Sequence, residues 1–75
     1  MQIRLKLMGM LKPRTPPGGT LEVAVGATIA DVLRALDIDP RTVRVFTVNG
    51  QLERDRDRVL AADDELAAIP PVGGG

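Results

Sequence analysis

The sequence predicts one small α+β domain, in which a single helix packs across a mixed sheet of four to five strands. Apolar residues recur with a period of two over residues 3–7 and 20–25, with helical spacing over residues 28–36, and in β-branched or apolar runs after that. A length of 75 residues leaves room for one hydrophobic core. Because one helix cannot cover two sheets, a single sheet is the economical arrangement.

The first two strands are predicted to form a hairpin with a wide loop. Ile3, Leu5 and Leu7 alternate with polar residues, which is typical of a strand with one buried face. Residues 9–19 contain three prolines and a pair of glycines and therefore favour a loop. The alternation resumes over residues 20–25, where the second strand is expected.

The helix is predicted to begin after Thr28 and to span about ten residues. Thr28 and Asp31 have the spacing of a capping box, and Asp31 would lie in the positively polarised first turn. Pro40 cannot continue a helix. The apolar positions before it fall on one helical face: Ile29, Val32, Leu33 and Leu36.

A third strand is expected over residues 42–48, followed by a tight turn at Asn49 and Gly50, since both residues tolerate a positive φ. The facing of this strand is open, because Val43 and Val45 compete with Phe46 and Val48 for the core. Either facing leaves two or three apolar side chains on the outer face, which predicts an exposed apolar patch.

The remainder of the chain is expected to contain a short strand or single turn and then a last strand. Residues 53–58 alternate in charge and favour a solvated surface segment. Residues 62–65 are typical of a turn, and the apolar run at 66–69 predicts a strand buried on both faces. Pro70 and Pro71 end it, because proline cannot donate a backbone hydrogen bond.

The composition argues against most enzymes. The chain has no Cys and no His, so it lacks the usual general base, zinc ligands, thiolate nucleophile and iron–sulfur ligands. Ten basic and ten acidic residues cancel and only one residue is aromatic, which argues against nucleic-acid binding. Charges interrupt the N-terminal apolar run, so neither a signal peptide nor a membrane span is expected, and a cytoplasmic location is predicted.

The C-terminal segment is the most informative part of the sequence. We expect a domain over residues 1–71 and a flexible glycine tail over residues 72–75, because glycine has the highest conformational entropy and no side chain to bury. Such a tail is either an inert disordered end or a segment that enters a slot too narrow for side chains. Without side chains, its backbone can place the terminal carboxylate against the reactive centre of another enzyme.

Three segments resemble the MoaD/ThiS family, the ubiquitin-like sulfur carriers of molybdopterin and thiamine synthesis. Residues 70–75, Pro-Pro-Val-Gly-Gly-Gly, resemble the family's Pro-Pro-Val-x-Gly-Gly terminus. Residues 48–50, Val-Asn-Gly, resemble its turn after the third strand. Residues 62–66 resemble its Asp-Gly-Asp-Glu-Val turn, with Ala62 and Asp63 as departures. Asp63 tolerates the left-handed conformation that the family's glycine would adopt.

This resemblance implies the β-grasp fold, a protein that binds no cofactor or metal, and a role as a co-substrate without catalytic activity. A partner enzyme of the ubiquitin-activating type would use ATP and Mg to adenylate the terminal carboxylate. Sulfur from a persulfide donor would then displace AMP. The resulting thiocarboxylate would give its sulfur to an acceptor, such as the large subunit of molybdopterin synthase, or to a thiamine or other pathway. The Pro-Pro-Val segment favours the molybdopterin type.

The resemblance also implies a role for each tail residue. Gly75 would carry the adenylate and then the sulfur, and Gly74 would let the tail pass through a narrow slot. Gly73 occupies the variable position of the family motif. Val72 and Pro71 would enter the partner with the glycines, and the two prolines would stiffen the start of the tail. The docking patch would comprise Val43, Val45 or Phe46.

Three other functions are compatible with parts of the pattern. A ubiquitin-like modifier would be joined through Gly75 to lysines of target proteins, and it too begins with adenylation. A plain β-grasp interaction module would have an inert tail. A stand-alone enzyme would have to use the adjacent carboxylates of Asp63, Asp64 and Glu65, for which no partnering base or metal ligand is identifiable.

Overall fold

Within residues 1–70, the chain forms a five-stranded mixed sheet with one α-helix, as predicted. The computed structural model describes residues 1–70. The strands are β1 Gln2–Leu7, β2 Thr20–Glu22, β3 Val45–Val48, β4 Gln51–Glu53 and β5 Glu65–Ile69, and the helix α1 covers Ile29–Ala35. The strands run in the spatial order β2-β1-β5-β3-β4, with β1 and β5 parallel and the other neighbours antiparallel. The predicted boundary between residues 71 and 72 lies outside the described residues.

In the N-terminal hairpin, the first strand is confirmed and the second strand is shorter than predicted. Alternate residues of β1 are buried, as the period of two requires. The predicted strand over 20–25 ends at Glu22, because residues 24–27 form a turn in which Ala27 N–H donates to the Ala24 carbonyl at 3.1 Å. Gly26 has a φ of 92° in this turn, and Val25 is left 86 % exposed. The loop of the hairpin contains two short 3₁₀ helices, Gly9–Arg14 and Pro17–Gly19.

Helix α1 begins as predicted and ends earlier than predicted. Thr28 Oγ1 accepts from Asp31 N–H at 3.2 Å, and Asp31 Oδ2 accepts from Thr28 N–H at 3.0 Å, which completes the capping box. The helix spans seven residues because Asp37 adopts a φ of 64°. Ile38 N–H then donates to the Leu33 carbonyl at 2.9 Å, a Schellman-type end that satisfies a free carbonyl group.

The charged segment between β4 and β5 covers the N-terminus of α1. The carbonyl groups of Arg58 and Arg56 accept from Ile29 N–H at 3.1 Å and Ala30 N–H at 2.9 Å. Together with the capping box, these bonds satisfy the helix donors that would otherwise lack partners. The segment predicted as a solvated surface therefore also closes one end of the helix.

The core lies between the inner face of the sheet and the apolar face of α1. The sequence prediction of an exposed patch at Val43 and Phe46 is wrong, since both side chains are fully buried. Val43 precedes β3, after a 3₁₀ turn at Pro40–Thr42, so the burial pattern shifts by one residue before Val45. Val45 faces outward and is 38 % exposed. The largest fully buried side chains are Phe46, Ile3, Ile29, Leu33, Leu66, Val32, Val43 and Val48.

Candidate functional site

The C-terminal segment continues from the central strand of the sheet. β5 pairs with β1 on one side and β3 on the other, so its position is fixed from both sides. Ile69 is its last residue and pairs with Val45, and Pro70 follows without a strand partner. The predicted tail residues lie outside the described residues: Pro71, Val72, Gly73, Gly74 and Gly75. Their assigned roles therefore remain predictions.

Apolar groups flank the point where the chain leaves β5. On one side, Val45 lies opposite Ile69 in the register of β3. On the other side, Met8 N–H donates to the Ala68 carbonyl at 3.2 Å, and the chain then enters the 3₁₀ helix that contains Met10. Met10 is 78 % exposed, which makes it one of the most exposed large apolar side chains among residues 1–70. We call Met10, Val45 and Pro70 the tail-base surface.

The outer face of β5 confirms the prediction that this strand is buried on both faces. Ala67 points away from the helix, yet it is only 4 % exposed. It lies in register between Lys6 of β1 and Thr47 of β3, whose larger side chains share its face. Leu52 of β4 lies opposite Thr47 on the same face and is 57 % exposed. The outer face of the sheet thus carries the Lys6 ammonium group on one side of Ala67 and the apolar Leu52 side chain on the other.

The acidic turn lies at the opposite end of β5 from the tail-base surface. Asp64 Oδ1 accepts from the Asn49 side-chain amide and Oδ2 accepts from Ala61 N–H, both at 2.8 Å. The Ala61 N–H and, to a lesser extent, the Asn49 amide lower the pKa of Asp64 below its ordinary value. Asp63 has a φ of 66°, as the sequence comparison with a glycine-containing turn suggested. The Asp64 carboxylate therefore holds the turn, at the end of β5 opposite the tail-base surface.

Residues 1–70 contain no group of three His, Cys, Asp or Glu side chains arranged to hold a metal ion. In the same part of the chain, no helix has the length and apolar character needed to cross a membrane. These findings concern the described residues only.

The comparisons with known proteins agree with this geometry. The model of the ThiS family matches residues 5–75. The chain belongs to the ThiS family. Its fold is therefore that of the ubiquitin-like β-grasp proteins, and it is a non-catalytic carrier or modifier rather than an enzyme.

Solved structures support the same assignment. A crystal structure of SAMP1 from Haloferax volcanii is 28 % identical and has a TM-score of 0.71, and the match covers 100 % of each of the two chains. A second structure, of small archaeal modifier protein 1 from H. volcanii, is 28 % identical with a TM-score of 0.70. That match covers 95 % of this chain and 98 % of the other. A ubiquitin-like protein from Caldiarchaeum subterraneum is 25 % identical, with a TM-score of 0.51 and coverage of 99 % and 100 %. No curated protein matches the chain significantly.

The ThiS-family motifs outside the tail have a structural explanation. Asn49 and Gly50 both have positive φ values, 53° and 82°, in the tight turn between β3 and β4. The Asn49 side chain then bonds to the turn that precedes β5. Two of the three segments that carried the resemblance are therefore parts of one hydrogen-bonded cluster that holds β5.

Sequence reasoning missed two residues near the site. Met10 was counted only as part of a loop, since a single apolar residue among prolines and glycines gives no periodic signal. Gly9 was not distinguished from the other loop glycines, although it lies against Pro70. This contact joins positions that are far apart in the sequence, and no local pattern predicts it.

Proposed function

We propose that this ThiS-family protein is a sulfur carrier whose C-terminal Gly75 carboxylate is activated and thiolated by partner proteins. The observation that supports this proposal most is that the family match extends through residue 75 and so includes the Pro-Pro-Val-Gly-Gly-Gly segment. The segment follows directly from the central strand, so a docked domain would present it from a fixed base.

The proposed chemistry takes place on the terminal carboxylate and in the partners. An oxygen of the Gly75 carboxylate attacks the α-phosphorus of Mg-bound ATP in an enzyme of the ubiquitin-activating type, and pyrophosphate leaves. The terminal sulfur of a persulfide donor then attacks the acyl carbon and expels AMP. A partner thiol cleaves the resulting S–S bond, so one thiol pair is oxidised to a disulfide and Gly75 retains a thiocarboxylate.

An acceptor synthase would then take the sulfur in cofactor biosynthesis. We favour a molybdopterin-type acceptor over a thiamine-type one, because the Pro-Pro-Val segment before the glycines resembles that branch of the family. We also propose a cytoplasmic location, because the activating enzyme would need ATP. The chain itself would bind no cofactor, since ATP and Mg belong to the activating enzyme.

We assign the docking of the activating enzyme to the tail-base surface and the adjoining outer face of the sheet. Val45 is the one member of the patch predicted from sequence that is exposed, whereas Val43 and Phe46 lie in the core. Met10 and Val45 flank the exit of the chain, so a protein that binds there contacts the domain and the C-terminal segment together.

The experiment that tests the activation step is ATP–pyrophosphate exchange by a ubiquitin-activating-type enzyme from the same organism. Exchange should depend on the intact chain and should be lost when Gly74 and Gly75 are deleted. A Gly26→Ala variant is the matched control, because residue 26 lies in the turn after β2, at the end of the sheet opposite the tail-base surface. Equal exchange with the deleted and intact chains would contradict the proposal.

A second function is favoured by the structural comparisons. One of the similar structures, from H. volcanii, is described as small archaeal modifier protein 1, which suggests conjugation of Gly75 to lysine amines. A tag at the N-terminus would reveal such conjugates as heavier covalent species on denaturing gels. The chain has lysine only at positions 6 and 12, so a Lys6→Arg/Lys12→Arg variant separates self-conjugation from conjugation to other proteins. Sulfur carriage without such species would argue against the modifier function.

A further inference from the structure

Two backbone segments meet where the chain leaves the sheet. After β1, the Met8 N–H still donates to the Ala68 carbonyl, and Gly9 then turns the chain away with a φ of 57°. After β5, Ile69 is the last paired residue and Pro70 follows it. Gly9 and Pro70 are therefore the first residues beyond the pairing of two neighbouring parallel strands.

Gly9 lies so close to Pro70 that a side chain would not fit without movement. An ideal Cβ at Gly9 would lie 3.2 Å from Cγ and 3.9 Å from Cδ of Pro70. The first distance is shorter than the optimum of about 3.5–4.0 Å for two carbon atoms, so the proline ring or the loop would have to shift. Gly26 and Gly50 also have positive φ values, yet nothing lies within 4 Å of their Cβ positions. The close approach thus distinguishes Gly9 from both of these glycines.

The contact involves the residue that sets the direction of the C-terminal segment. The pyrrolidine ring of Pro70 fixes its own φ, and the same ring lies against Gly9. The orientation of the ring and the direction of the following chain are therefore coupled. Five residues follow Pro70, and an extended chain of that length spans at most about 18 Å. A shift at Pro70 changes where all five can reach.

We propose that Gly9 is a positioning residue for the C-terminal segment. Its missing side chain lets the Pro70 ring rest against the loop after β1, and this contact directs residues 71–75 from the tail-base surface toward the activating enzyme. The purpose assigned to Gly9 rests on the proposed carrier function, whereas the contact with Pro70 is independent of it.

The first test compares Gly9→Ala with Gly26→Ala. Both variants place a methyl group on a residue with positive φ, and the φ of 92° at Gly26 is less favourable for an L residue than the 57° at Gly9, but only Gly9→Ala meets Pro70. At equal concentrations of folded protein, Gly9→Ala should lower kcat/KM for adenylate formation about fivefold or more, mainly through KM, and Gly26→Ala less than about twofold. Equal effects of the two substitutions would overturn the proposal.

Pro70→Ala removes the same contact without adding strain. It should lower kcat/KM about fivefold, and Gly9→Ala/Pro70→Ala should be no worse than Pro70→Ala alone, because the obstructing Cγ is gone. Unchanged kcat/KM in Pro70→Ala, or additive losses in the double variant, would overturn the proposal even if Gly9→Ala does not fold.

A measurement without the partner separates this inference from the carrier function. In the free protein, the amide chemical shifts of residues 72–75 should change in Gly9→Ala and stay unchanged in Gly26→Ala. Unchanged shifts in both variants would overturn the positioning role. If the wild-type chain is not adenylated at all, the carrier function fails, and the amide shifts still decide the role of Gly9.

Discussion

The side-chain amide of Asn49 donates to Oδ1 of Asp64 at 2.8 Å and ties the β3–β4 turn to the turn before β5. Asn49 Oδ1 accepts from Glu65 N–H at 2.9 Å, and Asn49 N–H donates to the Glu65 carbonyl at 2.8 Å. Asp64 also accepts from Ala61 N–H. These bonds hold the start of the strand from whose other end the C-terminal segment leaves. The cluster thus supports the site without taking part in its chemistry.

Asn49→Asp should destabilise the fold by about 1–2 kcal/mol near neutral pH, because it replaces a donated hydrogen bond by two facing carboxylates. Their repulsion raises the pKa of the pair in the folded state, so the loss should diminish as the pH falls and one carboxyl becomes protonated. Urea unfolding at pH 7 and pH 4 measures both effects. A cost that is the same at the two pH values would contradict the role of the Asn49–Asp64 bond.

Asp64→Asn removes the carboxylate from the same cluster. Folding lowers the pKa of Asp64, so its carboxylate stabilises the fold above the ordinary aspartate pKa and this contribution is lost as the pH falls through the lowered value. The stability difference from wild type should therefore be present at pH 7 and decrease below about pH 4. Asp57→Asn is the control, with a small change expected at both pH values. Thermal unfolding of all three proteins across this range provides the measurement.

Thr28→Ala should cost about 1 kcal/mol, because the Asp31 N–H loses its side-chain acceptor at the start of α1. Thr28→Ser keeps the hydroxyl oxygen and should cost less than about 0.5 kcal/mol. The free energies of unfolding in urea provide the comparison. Equal costs for the two variants would show that the capping bond does not contribute.

Phe46→Ala should cost about 3–5 kcal/mol, because it leaves a cavity in the core, and Val45→Ala should cost less than about 0.5 kcal/mol. For binding of the activating enzyme, we expect Val45 to matter more than Phe46. Val45→Ala should weaken docking, whereas Phe46→Leu, which keeps most of the buried volume, should leave it unchanged at equal folded fraction. Denaturant unfolding and a binding titration test the two expectations. A large stability cost at Val45 would contradict the facing of β3.

Features that depend on neighbours in the sequence could be predicted. The alternation in β1, the capping box at Thr28 and Asp31, and the positive φ values at Asn49 and Asp63 follow from local periodicity or local hydrogen bonding. The family resemblance predicted the fold class because its motifs lie at such positions.

Features that have no local signal in the sequence, or that depend on distant contacts, could not be predicted. The facing of β3 depends on a one-residue shift in burial after the Pro40–Thr42 turn, which no alternation in the sequence indicates. The early end of α1 depends on Asp37, a residue that adopts positive φ less often than glycine. The close approach of Gly9 to Pro70 requires β1 and β5 to be neighbours, which only the sheet topology establishes.

The intact mass of the chain after incubation with ATP, a ubiquitin-activating-type enzyme and a persulfide sulfur source tests the carrier function most directly. We predict a mass gain equal to the exchange of one oxygen for one sulfur, located at Gly75 by fragmentation. Deleting Gly74 and Gly75, or extending the chain with a C-terminal tag, should abolish the gain. An unchanged mass of the wild-type chain, under conditions in which the enzyme thiolates an established ThiS-family substrate, would contradict the account.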